Sequence, residues 1–172
     1  MSRIRDFSKK EPARKENLDV NETILGVIGL TRAAMSEKGV LANMQLAEGL
    51  PPILADRVQL QQVILNLIMK AIEAMSEIAG RSRELLVSTR KAELGGVLVT
   101  ISDSGPGLPP INPERIFNAF YTTKENALGM GLSICRSIVE AHDGKLWATP
   151  NEPRGAIFCM MLPVDGKSRS RT

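Results

Sequence analysis

The sequence contains few of the residues that build metal sites and disulfide frameworks. Its 172 residues include two cysteines, Cys135 and Cys159, and one histidine, His142. The two cysteines lack the spacing of metal ligands, and we expect them to be reduced thiols in a cytosolic protein. A single histidine excludes a metal site built from several histidines. Aromatic residues make up only 3% of the chain, so aliphatic side chains and methionine must form the core.

Long hydrophobic runs are also missing. The longest apolar stretches fall far short of the roughly 20 residues that a membrane-spanning helix requires, and no signal peptide is recognisable at the start. With 43% hydrophobic and 24% charged residues, the composition is typical of a globular protein. The length predicts one domain with tails, large enough to be stable without disulfides or a structural metal.

Positive charge is concentrated at the two ends of the chain. The net charge is +3, but residues 1–18 carry +3 and residues 163–172 carry +2, which leaves −2 for the remainder. A nucleic-acid-binding surface requires positive charge on the folded body. The distribution therefore favours solvated tails and predicts no nucleic-acid partner.

Hydrophobic periodicity predicts an alternation of helices and strands. Asn21 and Asp56 are predicted to cap the first two helices, and Gly39 is predicted to end the first. This order predicts an α/β (α+β) two-layer sandwich, with helices packed on one face of a mixed β-sheet. The predicted helices span 21–38, 56–78, 113–117 and 131–142, and the predicted strands span 40–46, 85–89, 97–103, 145–149 and 156–162.

The second predicted helix is apolar nearly all round, apart from one polar stripe. On a helical projection Asn66 and Lys70 share this stripe with Gln62, Glu73 and Glu77. The stripe is either a narrow solvent-facing strip or the polar wall of a pocket. Periodicity alone does not separate these two interpretations.

A carboxylate follows the strand predicted over 97–103. Asp103 shares the parity of the apolar residues of this strand, so its side chain is predicted to point inward. An inward carboxylate requires hydrogen-bond donors. The alternative is that Asp103 caps its own turn, as aspartates before glycine commonly do. Gly105 and Gly107 follow and allow a close approach to the backbone.

Glycines also open the last predicted helix. Gly129 and Gly131 would leave backbone N–H groups free at a helix start, where the helix dipole favours anions. Thr122, Thr123 and Lys124 precede them and could complete a phosphate cradle. A glycine pair alone is weak support, because glycines before helices often serve only as caps.

Taken in order, these segments resemble the catalytic ATP-binding domain of sensor histidine kinases, which belong to the GHKL ATPase superfamily and have the Bergerat fold. The residues of these segments are most similar to those of the oxygen- and nitrogen-sensing kinases. The resemblance covers roughly residues 17–163. Within it, residues 60–75 resemble the N box, 103–107 the G1 box, 116–124 the F box and 129–134 the G2 box, and residues 155–163 resemble the last hairpin of such domains.

The resemblance implies a division of the chain and a reaction. Residues 1–16 would be a linker or the end of a missing dimerisation and phosphoacceptor hairpin, 17–163 the catalytic domain, and 164–172 a disordered basic tail. The domain would donate the γ-phosphoryl group of ATP to a histidine on the separate hairpin, in two-component signal transduction. A response regulator would be reached through that hairpin. The fragment would be cytoplasmic and make no membrane contact. It would also be unable to phosphorylate itself alone, because its one histidine, His142, is favoured as a helix-capping residue.

Roles for individual residues also follow from the resemblance. Asp103 would accept a hydrogen bond from the 6-amino group of adenine, and Asn66 would lie along the phosphate side of the pocket. No catalytic residue is assigned, since such domains act by positioning and charge stabilisation. The remaining implied nucleotide-binding residues are Gly105 and Gly107 beside the base, Thr122, Thr123 and Lys124 in a mobile lid, and Gly129, Gly131 and Leu132 at the phosphates.

The sequence departs from the family pattern at two positions. Lys70 stands where a second asparagine normally binds Mg²⁺, and an ammonium has no lone pair to offer a metal. Lys70 would reach the phosphates, pair with Glu73 or Glu77, or abolish phosphoryl transfer. Ala127 replaces the first glycine of the usual lid motif, a milder change.

Magnesium, which the family otherwise implies, is therefore in doubt. We predict impaired kinase activity, because phosphoryl transfer depends on metal-stabilised charge. We also predict that Lys70→Asn strengthens Mg²⁺-dependent ATP binding. The alternatives are a non-catalytic nucleotide-binding regulatory module of the same fold and an anti-sigma-factor-type serine kinase.

Overall fold

The computed structural model describes residues 14–93, 95–109, 112–118 and 129–164. In these ranges the helices and strands alternate as the hydrophobic periodicity predicts. They are β1 (Lys15–Leu18), α1 (Val20–Glu37), β2 (Val40–Leu46), β3 (Ile53–Asp56), α2 (Arg57–Met75), β4 (Arg83–Lys91), β5 (Val97–Ser102), a 3-10 helix (Pro113–Phe117), α3 (Gly129–Ala141), β6 (Lys145–Pro150) and β7 (Ala156–Leu162).

A mixed five-stranded sheet forms one layer of the fold. Its strand order is β2-β4-β5-β7-β6. β2 runs parallel to β4, while the other neighbouring pairs are antiparallel. Alternate residues of the central strands, among them Val87, Ile101 and Met160, are fully buried against the helices. The two-layer architecture predicted from the sequence is confirmed.

Helix α2 packs between α1 and α3 and supplies much of the core. Eight of its residues are buried, which matches its nearly all-round apolar character. Asp56 caps it as predicted, and the Asp56 carboxylate accepts the N–H of Gln59 at 3.1 Å. The helix ends at Met75, three residues before the predicted end, and Ser76 is its C-cap. Beyond it the Arg83 guanidinium donates to the carbonyls of Ser76 and Ile78.

Two short strands and one cap differ from the prediction. β1 pairs antiparallel with β3, and both are four-residue strands that were not predicted, because so short a segment shows no clear periodicity. Helix α1 is capped by Asp19 and not by Asn21. The Asp19 carboxylate accepts the N–H groups of Asn21 and Glu22, while the Asn21 side chain bonds Ala47. The cap lies two residues earlier because Val20 is already helical.

The predicted domain boundaries at residues 16/17 and 163/164 stay predictions. Residues 1–13 and 165–172 lie outside the described ranges. Among the helices that are described, none is long and apolar enough to cross a membrane.

Candidate functional site

Asp103 lies directly after β5, with its side chain turned into the protein. The residue is only 3% exposed. Its Oδ1 accepts the N–H of Gly105 at 2.8 Å and the N–H of Ala156 at 3.3 Å. Both interpretations of the sequence are therefore correct, because the carboxylate points inward and also caps its own turn. Burial raises the pKa of Asp103, although the two N–H donors act in the opposite direction.

The second carboxylate oxygen of Asp103 is left for another partner. In the described part of the chain, both hydrogen bonds to this carboxylate go to Oδ1 and none goes to Oδ2. A carboxylate oxygen without a protein donor gains free energy from any donor that reaches it. An exocyclic amino group is a donor of this kind.

The turn between β6 and β7 holds the backbone of Asp103 in place. The Asn151 side chain donates to the Asp103 carbonyl at 2.8 Å. Gly155 adopts φ +108, and a Cβ at this position would lie 1.9 Å from the same carbonyl oxygen. Gly107, at φ +99, approaches Gly155 in turn, since its Cβ would lie 3.3 Å from the Gly155 carbonyl oxygen. Only glycine fits at Gly155.

Asn151 and Gly155 were not among the predicted site residues. Gly155 carried a usable signal, because it directly precedes β7 and belongs to the glycine-containing start of the predicted hairpin. Asn151 carried none. Its contact with Asp103 spans 48 positions along the chain and exists only once β7 has paired with β5.

Helix α2 contacts the Asp103 turn through Ala74 and Met75, and the Ser104 hydroxyl donates to the Met75 Sδ at 3.5 Å. A Cβ on Gly105 would lie 3.1 Å from the Asp103 Oδ1 and 3.3 Å from the Cβ of Ala74. Gly105 is thus enclosed between the carboxylate and the helix, and its place beside a base stays a prediction. This contact fixes which end of the polar stripe meets Asp103.

The other end of the stripe meets the start of α3. A Cβ on Gly131 would lie 3.7 Å from the Asn66 Nδ2. One turn later Cys135 is fully buried beside the Asn66 side chain, and its thiol donates to the Val63 carbonyl of α2 at 3.9 Å. Burial raises the pKa of the Cys135 thiol to about 11, despite the opposing effect of Asn66. Leu132, next to Gly131, is also buried, so the first turns of α3 are packed onto α2.

Lys70 lies between these two contacts on α2. Its side chain is half-buried. No ion pair within 4.0 Å joins Lys70 to Glu73, to Glu77 or to any other carboxylate of the described ranges. The alternative in which Lys70 is neutralised along its own helix is therefore not realised in the structure.

Several predicted site residues lie outside the described ranges. Thr122, Thr123, Lys124 and Ala127 fall within residues 119–128, so their roles in a lid stay predictions. Gly129 is the first residue of α3. The described part of the F box ends at Phe117 and Asn118, where Phe117 packs edge-on against Phe158 of β7 at a centroid distance of 6.3 Å.

The residues present do not fit the magnesium ion that the family implies. Mg²⁺ prefers an octahedral set of oxygen ligands. The described ranges contain no group of three or more histidine, cysteine, aspartate or glutamate residues that could hold a metal. Lys70, at the position of the expected ligand, brings a positive charge in place of an oxygen.

His142 is a structural residue. It is 4% exposed, and its Nδ1 donates to the Ile138 carbonyl at 2.8 Å. Its Nε2 accepts the Asp56 N–H at 3.1 Å. Burial opposes ionisation of the Asp56 carboxylate, but the backbone N–H groups of Arg14, Gln59 and Val58 outweigh it and lower its pKa. Both nitrogens of His142 are thus engaged: Nδ1 bonds within the end of α3, and Nε2 joins this end to the start of α2.

Comparison with known proteins identifies the family of the chain. Residues 55–166 match the family described as Histidine kinase-, DNA gyrase B-, and HSP90-like ATPase. The chain is 37% identical to sensor histidine kinase TmoS of Ectopseudomonas mendocina over 94% of its own length and 17% of that protein. It is 39% identical to sensor protein FixL of Bradyrhizobium diazoefficiens over 94% of its length and 32% of that protein. The chain thus spans less than a third of either relative.

Solved structures give the same result. The nucleotide-free catalytic domain of histidine kinase ThkA superposes with a TM-score of 0.80 at 30% identity, covering 91% of this chain and 99% of that domain. ThkA has also been solved in complex with the response regulator protein TrrA, and that kinase superposes with a TM-score of 0.80 at 28% identity, over 96% of this chain and 46% of ThkA. The chain therefore belongs to the histidine kinase-, DNA gyrase B- and HSP90-like ATPases, as a catalytic domain of the sensor histidine kinase type.

Proposed function

We propose that this chain binds ATP and donates its γ-phosphoryl group to a histidine on a separate hairpin domain. The observation that carries the proposal is the buried Asp103 carboxylate. One oxygen is held by two backbone N–H groups and the other accepts no hydrogen bond from a described residue. Adenine presents a 6-amino donor to that oxygen, whereas guanine presents a carbonyl oxygen that the carboxylate would repel.

The phosphates would lie toward the start of α3. Helix N-termini favour anions, and α3 is long enough to carry a dipole. Asn66 is already fixed there by contacts with Gly131 and Cys135. In this arrangement Gly105, Gly107, Gly129, Gly131 and Leu132 act through their backbones, and the lid residues Thr122, Thr123 and Lys124 act from residues 119–128.

The acceptor histidine would lie outside this chain's own sequence. His142 is the only histidine, and it is buried with both ring nitrogens engaged. In the transfer, the bond between the γ-phosphorus and its bridging oxygen breaks and a P–N bond forms on the acceptor imidazole. The acceptor loses its ring proton and ADP leaves. A response regulator would then receive the phosphoryl group from that hairpin, and cytoplasmic ATP would supply the donor.

We further propose that Lys70 slows this transfer. Phosphoryl transfer depends on positioned positive charge and usually on metal ions. The family's metal-ligand position is occupied here by an ammonium. The second candidate function, a non-catalytic nucleotide-binding regulatory module, is favoured by the same residue.

Asp103→Asn tests the nucleotide site. Asparagine keeps one oxygen for the Gly105 and Ala156 N–H groups but places an NH₂ group where the second oxygen stood. We expect ATP affinity in titration calorimetry to fall about a hundredfold, and wild-type GTP binding to be weaker than ATP binding by a similar factor. Asp19→Asn is the matched control, because asparagine is an equally good N-cap and Asp19 lies outside the site. Equal ATP affinity of the wild type and Asp103→Asn would disprove the proposed adenine contact.

Labelled ATP distinguishes the two candidate functions. With γ-labelled ATP and an added histidine-containing hairpin from a sensor kinase, we expect slow labelling of the hairpin and none of this chain. Lys70→Asn should label the hairpin faster. If neither the wild type nor Lys70→Asn labels the hairpin while both still bind ATP, the chain is a nucleotide-binding regulatory module. Stable label on this chain alone would contradict the role given to His142.

A further inference from the structure

We propose that Lys70 lets this chain bind nucleoside triphosphates without a divalent metal, because its ammonium takes the place of the metal beside the phosphates. The inference rests on the proposed function and specifies how that site holds its ligand.

The position of Lys70 follows from two contacts of α2. Asn66 lies against Gly131 near the start of α3, and Ala74 lies against Gly105 beside Asp103. Residues 66, 70 and 74 are spaced by four and therefore form one row along the helix. At 1.5 Å per residue, the row covers roughly 12 Å with Lys70 at its centre. A ligand that reaches from Asp103 to α3 must pass this residue.

The charge of Lys70 is available to such a ligand. The side chain is half-buried, and it forms no ion pair with a carboxylate of the described ranges. Partial burial of an ammonium is unfavourable unless an anion compensates it. A polyphosphate passing along the row supplies that anion and gains a charge-assisted hydrogen bond.

A divalent cation would compete with this arrangement. It would be placed near a fixed positive charge, which repels it. It would also find no protein oxygen at position 70, because the Lys70 ammonium has no lone pair to offer. The phosphates would therefore be neutralised by Lys70 and the start of α3.

The test is calorimetric titration of the chain with ATP, in excess EDTA and in saturating MgCl₂. The wild type should bind ATP with dissociation constants that agree within about twofold in the two buffers. Lys70→Met should weaken ATP binding about tenfold in EDTA, because the charge is lost. Lys70→Asn should bind poorly in EDTA and recover about tenfold when MgCl₂ is added. Adenosine, which lacks phosphates, should bind the wild type and Lys70→Met equally.

Lys145→Met is the matched control, because it removes an exposed lysine at the start of β6 and should leave all affinities unchanged. Two results would overturn the inference alone. These are ATP binding by the wild type that requires MgCl₂, and equal ATP affinity of Lys70→Met and wild type in EDTA. If the wild type binds neither ATP nor adenosine in either buffer, the proposed function fails together with the inference.

Discussion

The two ends of the site are built from different kinds of group. At the Asp103 end, the backbone N–H groups of Gly105 and Ala156 hold a single functional side chain, while Gly155 and the Asn151 side chain lie against the Asp103 carbonyl. At the α3 end, the Asn66 side chain faces Gly131 and Cys135, and Lys70 follows it one turn further along α2. The first end is fixed by the sheet and its turns, and the second by side chains on two helices.

This difference explains why a substitution alters the chemistry of the α3 end more easily than that of the Asp103 end. At the Asp103 end the donors are backbone N–H groups, which most substitutions leave in place. This end depends instead on glycines, because a Cβ at Gly105 or Gly155 would crowd Asp103. The α3 end depends on side-chain chemistry, which a single substitution alters while the fold persists. Lys70 illustrates this, because a charged residue occupies the family's asparagine position on a helix whose buried face is intact.

The largest effect is expected from a Cβ at the turn beside Asp103. Gly155→Ala combines φ +108 with a Cβ placed 1.9 Å from the Asp103 carbonyl oxygen. We expect the free energy of unfolding to fall by about 3 kcal/mol or more in urea denaturation. Gly26→Ala is the control, since nothing lies within 4 Å of a Cβ there, and it should stabilise helix α1 by about 1 kcal/mol. Equal stabilities would show that the Gly155 turn is not rigid.

A smaller effect is expected when one glycine from each end of the site is replaced by alanine. Gly105→Ala adds a Cβ 3.1 Å from the Asp103 Oδ1 and 3.3 Å from Ala74. It should lower the free energy of unfolding by about 1–2 kcal/mol and weaken ATP binding about tenfold. At Gly131 the nearest atom, the Asn66 Nδ2, would be 3.7 Å away, which is ordinary contact. Gly131→Ala should therefore keep ATP affinity within about twofold and stabilise α3 slightly. Similar losses for both variants would contradict the difference between the two ends.

The smallest effect is a pH dependence of stability. Burial raises the pKa of Asp103 above its unfolded value. Its contribution to stability is therefore greatest below the unfolded pKa and falls as the pH rises through the folded pKa. Asp103→Asn removes this loss, so in urea denaturation it should gain stability relative to the wild type as the pH rises above the unfolded pKa of an aspartate.

Asp56→Asn provides a comparison of opposite sign. The pKa of Asp56 is lowered in the folded chain, because backbone N–H groups outweigh burial. Its contribution is present above the unfolded pKa and is lost as the pH falls through the folded value. Asp56→Asn should thus lose stability relative to the wild type as the pH rises. A shift of the same sign in both variants would contradict the assigned causes.

Most of the fold was predictable because its long elements carry strong periodicity. Helix α2, capped by Asp56, and strands β2, β5 and β7 lie where the apolar pattern places them. The prediction missed β1 and β3, which are four residues each, and placed the cap of α1 at Asn21 instead of Asp19. Short strands depend on pairing partners far along the chain, and that pairing leaves no local signal.

The amino-acid pattern was sufficient to predict the two-layer architecture, the inward side of Asp103 and a lysine on the polar stripe. These depend on strand alternation and helix period, which act between near neighbours. The tertiary structure was needed to show that Asn151 and Gly155 contact the Asp103 carbonyl and that Cys135 lies beside Asn66. It also decided that Lys70 stands midway between the two ends. These contacts join groups 31 to 69 positions apart, which approach only after the strands pair and the helices pack.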